Sequence, residues 1–428
     1  MTSPNPADLG DIVRAINFVA DAGRQMLESS TSVSEVIDRL RRFLPVVGLE
    51  GGSIDATLSS LTLSYWRPGQ TMPITTMREL AVSSPRLELL SGTNDLLDRV
   101  QRGELSLDDA IIALRDLVDV PPRRPRLRQL ALLVSVAGWV LFFDGATIVT
   151  VGVALAATLL TFPVDQFVQR LRLPATAGVF LVAVIVAGIP NLLAAAGLRL
   201  ELGPAIVGAL FIYLPGRALV SSVIDGLANA PLSSLARGID AVLTAGFLAL
   251  GMLVGSRIGA GFGIDYEPDL TSTPLALSMI GAAVGVLGIA YAWSMPRALL
   301  VPAIAISSLG WGVIALFDRG GDGAGWPAYM IAAGLVGALG VLVAATQGSQ
   351  ASVYIGVAIL PLVPGFTLYT GMLAIAEGNS ADASTALADA GVTSLVIATG
   401  VAVGLSVTGT AIQAGKHIRD SDAPSATQ

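Results

Sequence analysis

The chain has 428 residues, 53% of them hydrophobic and only 13% charged, with a mean hydropathy of +0.71. A soluble protein of this size would need about 25% charged residues to cover its surface, so that class is excluded. The absence of cysteine excludes disulfides and thiolate metal centres, and a net charge of −7 without a basic patch excludes a nucleic-acid surface.

The charges are unevenly placed. Residues 1–128 hold 15 of the 25 basic and 17 of the 32 acidic residues, and the other 300 residues hold 10 and 15. One part is built for water and the other for lipid. Lys416 is the only lysine and His417 the only histidine, a usage that points to a GC-rich bacterial genome. The opening MTSPNPADLGDIV has neither a basic n-region nor an apolar h-region, so no cleaved signal peptide is expected.

In chain order, residues 11–28 place Ile12, Ile16, Val19, Gly23 and Met26 at helical spacing. A second helix is predicted from Ser32, with Glu35 completing a capping box and Val33, Val36, Ile37, Leu40 and Leu44 on one face. Ile54, Ala56 and Leu58, then Leu61, Leu63 and Tyr65, alternate with polar residues and predict two short strands. Residues 85–101 and 106–119 predict two more helices. This makes residues 1–125 a small soluble α+β domain, and PPRRPRLR (121–128) reads as a stiff, basic linker.

From Leu130 onward, apolar runs able to cross ~30 Å of hydrocarbon recur. Ten are predicted, near 130–143, 146–162, 175–197, 202–224, 235–256, 274–293, 298–316, 326–345, 353–376 and 386–414. The first two are short and tightly joined at Asp144–Gly145, which leaves a count of nine open. With the N-terminus inside, ten spans put Arg123, Arg124, Arg126, Arg128, Arg170, Arg172, Arg237, Arg297, Lys416 and Arg419 inside, and Arg199, Arg257 and Arg319 outside. Positive charge favours the cytoplasmic loops, so both termini are expected in the cytoplasm of a multi-pass plasma (inner) membrane protein.

The spans repeat. IVGALFIYLPG ends at Pro215–Gly216 and YIGVAILPLVPG at Pro364–Gly365, each with a glycine eight or nine residues earlier (Gly208, Gly356). The following spans share Gly246, Gly251, Gly255 against Gly400, Gly404, Gly409. Two five-helix halves follow, 126–268 and 269–416, with a tail at 417–428. Because five is odd, the halves are inverted, an architecture common in secondary transporters with a midplane site. Proline removes a helical hydrogen bond, and the freed backbone groups are tolerated only against protein or a wet cavity. Replacing either Pro-Gly by Ala-Ala is expected to restore a continuous helix, since Pro costs ~3 and Gly ~1 kcal/mol relative to Ala. Glycines spaced by four (Gly251, Gly255, Gly259; Gly281, Gly285; Gly400, Gly404) suit close helix packing within the chain, with a homo-oligomer face as the alternative.

LPGRALVSSVIDGLANAPLSSLARGIDA (214–241) resembles the signature of the threonine/serine exporter family. That signature has a hydrophobic-Pro-Gly, an Asp near the helix end, and a small-residue loop closing on Arg and an acid, here Asp225, Arg237 and Asp240. PLVPGFTLYTGM (361–372) resembles the matching second-half motif. The run Ala20–Gly48, the paired strands and GELSLDDAIIALRDL (103–117) resemble the family's soluble domain. Where family members often carry Gly-Asp or Gly-Asn after the first-half Asp, this chain has Leu227–Ala228–Asn229. The resemblance implies export of threonine, serine or a related small acid, driven by protons. Two-chain relatives imply dicarboxylates as the alternative cargo.

Polar groups inside spans are costly and mark candidate sites. Pro215, Gly216, Arg217, Ser221, Pro364, Gly365, Thr367 and Tyr369 are the candidate substrate-binding residues. Arg217 or freed N–H groups would hold a carboxylate, Asp225 or freed carbonyls an ammonium, and Thr367 and Tyr369 a side-chain hydroxyl. Asp225, and after it Asp240, are the candidates for proton coupling. No Walker A sequence is present, and residues 1–128 hold no His or Cys, so neither ATP hydrolysis, histidine-based catalysis nor a cofactor is expected. A membrane-bound sensor or scaffold acting through the soluble domain is the competing reading.

Overall fold

The computed structural model describes residues 8–29, 32–81, 85–121, 123–261, 274–318, 325–347 and 349–422. The loop 262–273 and Arg319, both counted above as outside, lie beyond the described residues.

The N-terminal domain packs α1 (Leu9–Glu28), α2 (Val33–Phe43), α3 (Leu87–Gln101) and α4 (Leu107–Asp119) with a three-stranded sheet. Strands β1 (Ser53–Ala56), β2 (Ser60–Tyr65) and β3 (Ile74–Glu79) run antiparallel in the order β1-β2-β3. Ile54 pairs with Leu63 and Ala56 with Leu61, and all four side chains are buried, as the alternation predicted. The third strand was not foreseen. ITTMRE lacks apolar alternation because one of its faces is polar. Arg78 there donates to Asp21 (2.6 Å) and Asn17 (3.0 Å) on α1. Helix α2 stops at Phe43, and Leu44–Val47 form a 3-10 turn that ends at Gly48 in a left-handed conformation (φ 76°).

The rest is helical. Pro125 opens α5 (Pro125–Phe142), so half of the expected linker is the first turn of a helix, where proline costs no hydrogen bond. There follow α6 (Ile148–Arg170), α7 (Ala175–Ala195), α8 (Leu202–Leu210), α9 (Gly216–Leu227), α10 (Pro231–Ala260), α11 (Leu275–Ala292), α12 (Arg297–Phe317), α13 (Gly325–Gln347), α14 (Ala351–Ala358), α15 (Gly365–Ala376) and α16 (Ser380–Asp422). The expected tail from 417 therefore continues α16 as far as Asp422.

Among the described residues, eight helices are long and apolar enough to cross a membrane, and the bent pair Leu202–Tyr213 and Gly216–Leu227 makes a ninth. The chain is a multi-pass membrane protein. The two predicted spans that contain Pro-Gly are each split into two short helices, as proline's lost hydrogen bond requires.

The longest helix contacts pair α5 with α11, α7 with α10, and α13 with α16. Glycine makes them close. A methyl group on Gly138 would lie 2.1 Å from Gly285 N, and one on Gly404 2.1 Å from Gly334 O. Gly251 and Gly255 face α7 in the same way, and Gly400 faces α13. These stripes thus serve packing within the chain.

Domain and bundle are joined. Leu87 N donates to Trp293 O (2.9 Å), and Arg123 donates to the carbonyls of Tyr291 (3.0 Å) and Met295 (2.7 Å) while lying 4.0 Å over the Tyr291 ring. The apolar core runs without interruption from Leu40 and Leu61 to Trp139 and Tyr354.

Candidate substrate site

The two breaks meet. Helix α9 begins at Gly216 and α15 at Gly365, each with its proline as N-cap. A methyl group on Gly216 would lie 2.6 Å from Val363 Cγ2, 2.8 Å from Gly365 N and 2.9 Å from Gly365 Cα. One on Gly365 would lie 3.1 Å from Gly216 N. Only glycine permits this crossing. The expectation that Ala-Ala would simply straighten either helix therefore fails, because the added methyl collides with the other break. The first half bends by 43° at its break.

The helices leave the crossing in opposite directions. Helix α9 ends against the soluble domain, where Ser32 Oγ donates to Asp225 Oδ1 (2.6 Å). Helix α14 begins beside that domain, since Ala351 and Ser352 line a cavity together with Ser29 and Leu87. Helix α15 accordingly points the other way. First-turn N–H groups have no intrahelical partner, so two sets of donors and two positive dipole ends converge at the crossing.

Two cavities open between the crossing and the soluble domain. The larger, about 460 Å³, is lined by Pro215, Arg217, Ser221, Arg237, Asp240 and Trp293 on the bundle side and by Leu27, Glu28 and Leu58 from the domain. The smaller, about 170 Å³, shares Arg217 and Ser221 with it. The Arg217 guanidinium lies 4.6 Å over the Trp293 ring, and among the described residues it forms no ion pair. A half-buried guanidinium without a carboxylate is a ready partner for an anion.

Trp139 and Phe211 stack at 3.8 Å and form the cavity floor. Behind them Phe142 packs on Trp311 (4.5 Å) and Phe143 on Phe366 (6.5 Å). The cavities thus lie on the domain side of the crossing, and aromatic rings pack beyond it.

The sequence candidates divide accordingly. Pro215, Arg217, Ser221 and Asp240 line the larger cavity, and Gly216, Pro364 and Gly365 form the crossing. Asp225 is fully buried and ion-paired with Arg237 (2.9 Å), one helix turn beyond the cavity-lining Ser221. Thr367 and Tyr369 line neither cavity. Tyr369 is buried, packs 5.8 Å from Phe366, and directs its hydroxyl at Met252 Sδ. After Asp225 the chain turns at Asn229, whose left-handed φ of 60° asparagine tolerates better than most residues.

Two residues escaped the sequence reading. Ser32 and Glu35 looked like a capping box, yet Ser32 makes no cap bond. Its hydroxyl reaches Asp225 instead, and Glu35 faces the smaller cavity. The motif's spacing suits both uses, so sequence alone carried no signal to separate them. Among the described residues no group of three or more His, Cys, Asp or Glu could hold a metal ion.

A threonine/serine exporter family model matches residues 17–259, and a second, described as threonine/serine exporter ThrE, matches residues 278–410. A protein of Mycobacterium tuberculosis named "Probable threonine/serine exporter" is 25% identical over 394 residues, covering 89% of this chain and 73% of its own. The "Threonine/serine exporter" of Corynebacterium glutamicum is 25% identical over 425 residues, covering 93% and 84%. No solved structure matches. The family models take in the soluble domain, the crossing and both halves of the bundle, and the chain belongs to the threonine/serine exporter family.

Proposed function

We propose that the chain is a secondary-active exporter of small amino acids, threonine and serine foremost, driven by the proton gradient across a bacterial inner membrane. The observation that carries this reading is the crossing of two half-helix starts beside a wet cavity that holds an unpaired Arg217. Free N–H groups and the guanidinium are the partners a substrate carboxylate needs at the membrane midplane.

Counting α8 with α9 and α14 with α15 as single spans gives ten, in two inverted halves. Repeated packing supports this: α7 lies on α10 as α13 lies on α16, and the broken helices run opposite ways. With the cavity open toward the soluble domain and aromatic rings closing the far side, substrate enters from the cytoplasm, where both termini lie. Rocking of one half against the other then exposes the crossing, with Thr367 and Tyr369, to the outside. Asp225 is the coupling carboxylate: its protonation weakens the pair with Arg237 and loosens the contact with Ser32. Asp240 is second in that role.

A dicarboxylate would need two free cations. Arg217 and Arg237 both line the cavity, but Arg237 is committed to Asp225, which favours an amino acid. A scaffold acting only through its soluble domain would have no use for a Ser32–Asp225 contact inside the bundle.

The test is efflux of labelled threonine and serine from proteoliposomes, with and without a pH gradient, against a panel of amino acids and dicarboxylates. Gradient-dependent efflux of the hydroxylated amino acids is expected. Gradient-independent efflux would remove the coupling, and efflux of dicarboxylates alone would replace the substrate.

A further inference from the structure

The smaller cavity is built jointly by the soluble domain and the bundle. Its polar lining comprises Glu35, Ser29 and Ser32 from the domain and Arg217, Ser221 and Ser352 from the bundle. The remaining lining is apolar, from α3, α9, α14 and α16. Glu35 and Arg217 carry its only formal charges, of opposite sign. Among the described residues, neither forms an ion pair, with the other or with any third group. Two opposite charges that share a cavity without touching leave space for a molecule carrying both. The volume of about 170 Å³ is well below the 300–1,000 Å³ of drug-sized pockets and suits a small one.

We propose that Glu35 of the soluble domain is a substrate-binding residue that receives the ammonium group of the exported amino acid while Arg217 receives its carboxylate. This deepens the export reading above and rests on it. Of the bundle's acids on this face, Asp225 is engaged by Arg237 and Ser32 and Asp240 lines the larger cavity, so in the smaller one the domain supplies the anion. Ser29, Ser32, Ser221 and Ser352 line the same cavity and supply the hydroxyl groups a hydroxylated side chain would meet. Ser352 Oγ is buried and lies within reach of the Glu35 carboxylate, so it belongs to the same polar lining. Glu35 also gives discrimination, because a carboxylate there repels the second acid group of a dicarboxylate. The soluble domain is then part of the transport site and not an appendage to it. Burial raises the Glu35 pKa, against smaller opposing effects of Ser352 and Arg42.

The test compares wild type, Glu35→Gln and Glu35→Asp, each as the full chain, for threonine binding in detergent by calorimetry and for threonine efflux from proteoliposomes. 3-Hydroxybutyrate, which keeps the carboxylate and hydroxyl and lacks the ammonium, serves as competing ligand. Glu35→Gln is expected to weaken threonine binding and raise KM by about tenfold or more, the loss of one charge-assisted contact. The maximal rate should stay within about twofold, competition by 3-hydroxybutyrate should be undiminished, and Glu35→Asp should recover part of the affinity. Glu35→Gln binding threonine as wild type does would overturn the proposal, and so would equal losses for threonine and 3-hydroxybutyrate, which mark a structural role. Binding that depends on Glu35 without any efflux would sink the export reading and leave this site standing. A wild-type protein that neither binds nor moves threonine would overturn both.

Discussion

Beyond the first break, α9 carries Arg217, Ser221 and Asp225 toward the soluble domain along two cavities. Beyond the second, α15 carries Phe366, Thr367 and Tyr369 the other way, into packed rings. The backbones are alike: a proline N-cap, a glycine at the first helical position, twelve helical residues in each. The surroundings are not. Similar backbones in unlike environments are what one end state of the proposed alternating exporter would require, with each helix lining a cavity in turn.

The crossing itself should give the largest effect on transport. Gly216→Ala forces a methyl group to 2.8 Å from Gly365 N, an overpacking that costs about 1–3 kcal/mol, while Gly365→Ala meets Gly216 N at 3.1 Å, a tight contact that shifts the helix starts by less. Both variants should show no measurable efflux and a lowered thermal midpoint in detergent. Normal efflux from Gly365→Ala would mean that the second break is a bystander and the comparison is empty.

Next comes the polar chemistry, where the halves should part. Asp225→Asn removes the carboxylate paired with Arg237 in a buried setting, and breaking such a pair costs about 3–5 kcal/mol. Efflux should lose its dependence on the pH gradient. Thr367→Val and Tyr369→Phe should leave stability within about 1 kcal/mol, since the Tyr369 ring keeps its packing. Their effect on transport should fall on the outward step. A Thr367→Val protein that no longer binds threonine from the cytoplasmic side would put the substrate on α15 and reverse the assignment.

What could be read in the sequence follows the same division. The Pro-Gly pairs were legible because proline and glycine act through the backbone, wherever they sit. Helix spans and the alternating strands β1 and β2 were legible as hydrophobic periods. Strand β3 was not, because its inner face is held by Arg78 and Asp21 and not by apolar side chains. The site residues of α9 were found as polar groups in an apolar span. Glu35 was missed because it lies in a soluble domain where acids are ordinary, and only the docking of α2 carries it into the cavity. The collision of Gly216 with Gly365 was out of reach too, since it joins residues 149 positions apart.

The paired glycines one helix earlier give a smaller test. Gly208 abuts Val140, with 2.8 Å from an added methyl to the backbone, whereas Gly356 has nothing within 4 Å. Gly208→Ala should destabilise by about 1–3 kcal/mol. Gly356→Ala should raise stability by up to ~1 kcal/mol through helix propensity, while its methyl narrows the smaller cavity that Gly356 lines and weakens threonine binding. Equal behaviour of the two would deny that the second-half glycine serves the cavity.

The finest test uses protons. Glu35 stands on the wet side, and burial holds its pKa above the ordinary carboxylate value. The charged groups facing it are Arg42 on its own helix, which opposes the rise, and Arg217 across the cavity. The protonated form is thus favoured more in the folded than in the unfolded chain. Its contribution to stability is complete below the unfolded value and is lost as pH rises through the folded one. The thermal midpoint in detergent should therefore fall modestly as pH climbs through that window, and Glu35→Gln should abolish this step while leaving the rest of the profile. Threonine binds the ionised form, so its affinity should move the opposite way, improving as pH rises over the same interval. The two curves must level off at one pH, the pKa of Glu35 in the ligand-free folded chain, because one carboxylate governs both. Different levelling points would assign the affinity change to another acid, with Asp225 and Asp240 the next to be replaced, and α9 and α10 would then supply the titrating group without help from the N-terminal domain.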